Sequence, residues 1–249
     1  DSSFLTVNDC VMNNNSHGMY NYLSRLEVDN CVMNKNSTGM YNHESQLLVD
    51  DTTMDENELY GMKNAAGSSP TVTNCTMSGN VYYGMFNLTN SNPTVVDSVM
   101  GGNVYGMRNS SSSPTIDNCT FVGNNNNGMS NASSSPIVTS CIMNDNAYDG
   151  MSNYASSNPI VTGCVMNGNG NDGMGNASSS PVVINCTLTG NKVGMYNYSE
   201  SDPSVTNCTF TYNKTAILNS QSNPKVVNTI VWGNTNGISN SASIPLVTF

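Results

Sequence analysis

Apolar residues recur along this chain in columns rather than in helical stripes. With the first cysteine as a zero slot, Cys10, Cys31, Thr52, Cys75, Ser98, Cys119, Cys141, Cys164, Cys186, Cys208 and Thr229 follow one another at steps of 21 to 23 residues. Two residues on stand Met12, Met33, Met54, Met77, Met100, Phe121, Met143, Met166, Leu188, Phe210 and Val231. A second apolar column runs Met19, Met40, Met62, Met85, Met107, Met129, Met151, Met174, Met195, Ile217, Ile238, and the two columns together hold all 16 methionines. Three residues before each slot lies a β-branched residue, from Val7 and Val28 through Ile116 to Val226. A period this strict marks an array of stacked units. Three segments of each unit, around the valine, Cys-x-Met and Gly-Met-x-Asn, are too short for helices and alternate with period two, so each predicts a short strand.

Polar columns supply the corners. The residue before each slot is Asp9, Asn30, Asp51, Asn74, Asp97, Asn118, Ser140, Gly163, Asn185, Asn207 or Asn228. Asn, Asp and Gly tolerate a left-handed backbone, so this column predicts a one-residue bend between valine and cysteine strands. A second column, Asn15 to Asn234, and a third, Asn21 to Asn240, never vary. Stacked one strand spacing apart, their amides can bond in a ladder. Nine prolines, Pro70 to Pro245, sit five before the slot, where they open a strand without removing a ladder bond. The sum is an all-β chain: a right-handed parallel β-helix of about 11 coils of 21–23 residues, three short strands per coil. At about 4.8 Å per coil the rod is on the order of 50 Å long. Residues 1–249 form a single solenoid domain with no evident caps.

Composition narrows the function classes. Charged residues are only 10% and the net charge is −10, with the seven Lys and Arg scattered singly, which excludes a basic nucleic-acid footprint. No apolar run reaches membrane-spanning length. Cysteines 21 to 23 residues apart lack the close pairs of a zinc site and read as buried reduced thiols. No cofactor is expected.

Phe121-Val122-Gly123-Asn124 and Phe210-Thr211-Tyr212-Asn213 form a Phe-x-x-Asn motif, and Gly18-Met19-Tyr20-Asn21 with its copies reads as a variant of Gly-Gly-Ala-Ile. In these motifs the units resemble those of chlamydial-type polymorphic outer membrane proteins and related bacterial surface proteins. The resemblance spans the chain and implies a secreted, surface-exposed β-helix acting in adhesion or display. Methionine in place of phenylalanine and the lack of a β-barrel anchor depart from that pattern, so an autotransporter role is not implied.

Catalysis on such a fold needs carboxylates gathered on one strand face. The sequence offers one acidic cluster, Asp50, Asp51, Asp55, Glu56 and Glu58, which reads first as a solvated corner; Asp51, Asp55 and Glu56 are a weak calcium candidate. His17 and His43 fall in variable loops and are expected to be solvent-exposed. Aromatics give the stronger lead: Tyr20, Tyr41, Phe86 and Tyr196 follow the methionine of the third strand and should point outward, with Tyr60, Tyr83 and Tyr105 close to the same face. Such a face could bind sugar rings or pack laterally. Exposed sequons at Asn14, Asn74, Asn118, Asn185 and Asn207 are possible glycosylation sites, Asn14 lying outside the ladder and bend columns. Leu5, Val7 and Cys10 at one end and Ile238, Asn240, Leu246 and Val247 at the other suit end-to-end stacking of copies. The sequence thus points to an extracellular or cell-surface structural or adhesive β-helix, a filament subunit self-associating end to end and contacting surface glycans, without catalytic activity. The alternative is a carbohydrate-binding or polysaccharide-degrading β-helix.

Overall fold

The computed structural model describes residues 5–248. Every strand pairs in parallel with its counterpart one coil away, giving three sheets, two of which run the length of the rod. The valine sheet has twelve strands, from Leu5–Asn8 to Leu246–Thr248. The glycine–methionine sheet has eleven, from His17–Tyr22 to Asn236–Ser241. The cysteine-side sheet has six strands, from Thr120–Val122 to Ile230–Trp232. In the earlier coils that sheet shrinks to single parallel bridges such as Val11–Val32 and Val99–Thr120, so the third strand per coil is present but reduced to one residue there. No helix occurs among the described residues, and none is long and apolar enough to cross a membrane.

Register is set by like residues. Val28 lies opposite Val49, Met107 opposite Met129, and Asn109 opposite Asn131. From Met33 to Met195 the inward methionines are 0% exposed, as are Phe121 and Phe210. Each such side chain is worth roughly 1.5–3 kcal/mol of burial, so the core is one continuous rod. All eight cysteines are free thiols in this core, Cys10 alone being only half-buried.

The corners follow the polar columns. From Asp9 (φ 53°) to Asn228 (φ 47°) the residue before each slot is left-handed, as the bend column requires. The structure adds two further left-handed columns. One precedes the second asparagine column and includes Asn14, Lys35, Glu56 and Tyr212; the other follows the third and includes Leu23, Glu44 and Ser133. Asn14 therefore belongs to a bend column after all. The third asparagine column is an unbroken amide ladder from Asn21 to Asn240; Asn87 Nδ2 donates to Asn109 Oδ1 at 2.9 Å and Asn109 Nδ2 to Asn131 Oδ1 at 2.8 Å. The second column is an amide ladder as well from Asn57 to Asn234, and its oxygens also accept backbone amides: Asn57 Nδ2 and Asn57 N–H each donate to Asn80 Oδ1 at 2.9 Å. A serine column not singled out in the sequence, Ser45 to Ser243, repeats that bond with hydroxyl oxygens, Ser112 N–H donating to Ser134 Oγ at 3.1 Å. Proline carbonyls accept from the next coil, Thr94 N–H to Pro70 O at 3.0 Å, while the missing proline N–H lies at the strand entrance.

Candidate functional site on the outer face of the glycine–methionine sheet

In each Gly-Met-x-Asn strand methionine and asparagine face the core, which forces x outward. Stacking then places Tyr20, Tyr41, Lys63, Phe86 and Arg108 in one outward column. The residue two before each methionine makes a parallel column, His17, Thr38, Tyr60, Tyr83 and Tyr105. The sequence-derived aromatics thus come together over the first five coils. Tyr60 and Tyr83 stack with centroids 5.5 Å apart and 4° between planes, Tyr83 meets Phe86 at 4.9 Å and Tyr105 at 5.5 Å, and Tyr20 meets Tyr41 edge-on at 5.2 Å. Lys63 Nζ sits 4.6 Å above the Tyr41 ring, and Arg108 Cζ lies 5.9 Å from that of Tyr105. Burial pushes the Tyr41 and Tyr83 hydroxyls up from their usual range.

The histidines are placed differently from the sequence expectation. His17 opens one strand and His43 closes the next; both are half-buried. His17 stacks on Tyr41 at 5.9 Å, and His43 packs 5.3 Å from Tyr22. Stacking of in-register strands, not loop proximity, brings both into the aromatic face. Tyr196 does not join the other predicted aromatics; it lies several coils away and packs against Tyr198 at 4.7 Å.

Beside that second tyrosine pair the structure gathers two carboxylates that sequence reading missed. Asp149 and Asp172 occupy the column of Tyr60, Tyr83 and Tyr105, immediately before their glycines, and each is only 4% exposed. Asp149 Oδ1 accepts from Asn171 Nδ2 at 2.9 Å and from the Asp172 N–H at 3.1 Å. No donor among the described residues reaches the Asp172 carboxylate. In the outward column the next coils carry Ser152, Gly175 and Tyr196. A Cβ on Gly175 would stand 3.3 Å from Asp149 Oδ2 and 3.4 Å from Asp172 Oδ2. The glycine therefore leaves a notch into which both oxygens face, with Tyr154 in the coil on one side and Tyr196 and Tyr198 in the coil on the other. Burial, then the neighbouring Asp149 charge, pushes the Asp172 carboxyl up to about 8, against a smaller pull from Lys192. Burial also raises Asp149, opposed by its hydrogen bonds. Two nearby carboxyl groups with different hydrogen bonding can hold one proton between them at neutral pH. The sequence carries only a partial signal for them, two aspartates 23 residues apart in a column already marked by tyrosines.

The acidic corner rearranges. Asp51 joins Asp29 and Asp50, their oxygens within 4.8 Å of one another, beside a shallow groove floored by Val28 and Val49. Asp55 and Glu56 lie past the next strand. The Asp55 carboxylate accepts the Ser78 N–H at 2.7 Å, and Glu56 pairs with Lys35 at 3.5 Å. The trio Asp51, Asp55 and Glu56 is therefore not a cation-binding unit. Asn14, Asn74, Asn118, Asn185 and Asn207 are all exposed and left-handed. Of the stacking candidates, Leu5, Asn240 and Leu246 are exposed, while Val7, Cys10, Ile238 and Val247 are half-covered.

No curated protein sequence matches the chain. Among solved structures it is similar to the A-module of the Azotobacter vinelandii mannuronan C-5 epimerase AlgE4, with a TM-score of 0.71 and 12% identity over 98% of this chain and 91% of that one. It is also similar to a pectate lyase (TM-score 0.59, 12% identity, 96% of this chain and 69% of that one). A third is tailspike protein 2 of an Escherichia coli bacteriophage (TM-score 0.57, 12% identity, 90% of this chain and 33% of that one). At such identities the likeness carries the fold. Even so, the expectation of a chain without catalytic activity is overturned: an epimerase and a lyase share this architecture, and buried paired carboxylates stand on its outer face. The likeness to polymorphic outer membrane proteins stays a resemblance of short motifs. A family model described as the right handed beta helix region matches residues 1–100 and 106–247, and the chain belongs to that family.

Proposed function

We propose that this chain is an extracellular or cell-surface β-helix that binds an acidic polysaccharide along the outer face of its glycine–methionine sheet and acts on it. One observation carries the reading. In a chain of net charge −10, both histidines, Lys63 and Arg108 are concentrated among stacked aromatics on a single sheet face. Aromatic faces suit sugar rings, and the cations suit their carboxylates. The pairing also supplies what a highly acidic protein needs to hold a polyanion, a local patch that is not acidic. Mannuronan and pectate, named for two structural neighbours, are acidic glycans of this kind. Nothing among the described residues favours a filament or adhesive role over this one.

The test is binding of polymannuronate and polygalacturonate, with a neutral glucan for comparison, by calorimetry or affinity electrophoresis. The acidic glycans are expected to bind, and Tyr41→Ala and Lys63→Ala each to weaken binding about 3- to 10-fold. Equal affinity for the neutral glucan, or variants that bind like wild type, would refute the assignment.

A further inference from the structure

The notch at Gly175 is built differently from the rest of the face. Elsewhere the outward column carries a side chain over each strand, whereas Gly175, itself buried, contributes none. The two carboxylates beneath it are unequal. Asp149 has one oxygen tied down by Asn171 and the Asp172 amide, which leaves Oδ2 directed at the notch. Asp172 is 96% withdrawn from solvent, accepts no hydrogen bond among the described residues, and directs Oδ2 at the same point. A carboxyl that is buried and accepts no hydrogen bond among the described residues has nothing to stabilise in the fold itself. We infer that Asp172 and Asp149 are the acid and the nucleophile of a glycoside-hydrolysing site that cleaves the acidic polysaccharide held on this face. The inference rests on the binding reading above and goes beyond it by naming the reaction.

The steps balance without any further reactant than water. Asp172 enters protonated and Asp149 ionised. An Asp149 oxygen bonds to the sugar C1 as the C1–O bond to the leaving sugar breaks, and the departing oxygen takes the Asp172 proton. Water then attacks C1, gives one proton to the Asp172 carboxylate and releases Asp149, so a bond is hydrolysed and the pair is restored. Carboxyl groups about 5–5.5 Å apart suit this two-step course, whereas separations of roughly 6.5–9.5 Å leave room for a water between them. Both Oδ2 atoms lie within 3.4 Å of the place a Cβ on Gly175 would take, so the two can address one reacting centre. Tyr154, Tyr196 and Tyr198 in the flanking coils supply walls for the sugar rings on either side of the bond.

The acid role agrees with the surroundings of Asp172. The groups that act on it are Asp149, which raises its affinity for a proton, and Lys192, which lowers it; Tyr198 in turn feels both carboxylates. Turnover is expected to fall as pH rises through about 8, where Asp172 ionises.

The experiment incubates the full chain separately with polymannuronate, polyguluronate and polygalacturonate, following reducing ends, unsaturated ends and binding. Wild type is expected to release reducing ends with retained anomeric configuration and no unsaturation. Asp172→Asn and Asp149→Asn are expected to lose cleavage by at least ~100-fold while binding stays within about threefold of wild type. Gly175→Val, which fills the notch from the solvent side, is a third variant in case either Asn variant fails to fold; it too should bind and not cleave. Unsaturated ends, inverted product, cleavage that survives in the variants, or wild-type binding to all three glycans without cleavage would each overturn the inference and leave the binding face standing. Failure of wild type to bind any of them would overturn the binding reading instead.

Discussion

Asp172 shows how a buried acidic side chain ties pH to stability. Its carboxyl is pushed up to about 8 in the folded chain, so ionising it opposes folding. Its contribution is intact below the unfolded carboxyl range and is lost as pH rises toward 8. Asp172→Asn removes that loss. In thermal denaturation the variant is expected to exceed wild type at pH 8, by about 2–5 kcal/mol at 1.36 kcal/mol per pH unit, with the gain fading toward pH 4. An equal difference at both pH values would mean that Asp172 is not held protonated. The thiols give a second expectation. Burial pushes Cys75 up to about 12, and the Cys141 thiol together with burial does the same for Cys164. A thiol reagent on native protein is expected to modify Cys10 quickly and the other seven cysteines only after denaturation; mass spectrometry of the labelled protein reads this directly. At this scale the sequence was partly readable. The bend before the cysteine slot was legible because Asn, Asp and Gly fill it. Of the other two left-handed columns, the one before the second asparagine column carries the same signal in Asn14, Asp145 and the glycines from Gly79 to Gly233, whereas the one after the third is hidden because Leu23, Glu44 and Ser133, which favour that geometry poorly, stand in it.

Strands here are held in register by side chains that bond to their own copies. Asn109 joins two consecutive links, accepting from Asn87 and donating to Asn131. Asn109→Ala breaks both bonds and leaves a buried donor and a buried acceptor without partners, which costs about 2–5 kcal/mol. Urea denaturation should show that loss, and Asn21→Ala at the end of the ladder, which removes only one bond, should show less. Glycine before the methionine is explained by approach, not by backbone twist: a Cβ at Gly84 would stand 2.6 Å from the Gly106 carbonyl oxygen and 2.8 Å from that of Met77. The three-strand coil could be read from the spacing because period-two alternation survives even in short segments. That the cysteine-side strand dwindles to single bridges in the early coils could not, since Val11, Val32 and Thr53 alternate as well as Thr120 and Ile142 do. The site was half legible for a related reason. The outward tyrosines announced themselves by type, whereas Asp149 and Asp172 gain meaning only once stacking buries them beside a bare Gly175.

Along the whole rod, one face carries all the pieces of the proposed function in axial order. The aromatic and cationic stretch begins at Tyr20 in the first coil, and the carboxylate notch lies between coils that end with Tyr196 and Tyr198 in the ninth. Eight steps of about 4.8 Å separate the ends, roughly 38 Å. A parallel solenoid makes such a track inevitable, because any outward position repeats along the axis at one strand spacing. A pyranose unit extends a glycan by a few ångströms, comparable to the strand spacing of about 4.8 Å, so a chain laid along the axis would place one sugar near each coil. Affinity for oligouronates is therefore expected to climb with length and to level off near seven or eight sugars. Because few cations hold the polyanion, raising ionic strength from about 0.05 to 0.5 M should weaken binding by severalfold without abolishing it, the aromatic contacts being insensitive to salt. Both dependences belong to the track as a unit. A disaccharide that binds as tightly as an octasaccharide would show that a single subsite holds the ligand, and the axial arrangement of Tyr41, Lys63, Arg108 and the Asp149–Asp172 notch would then have no part in recognition.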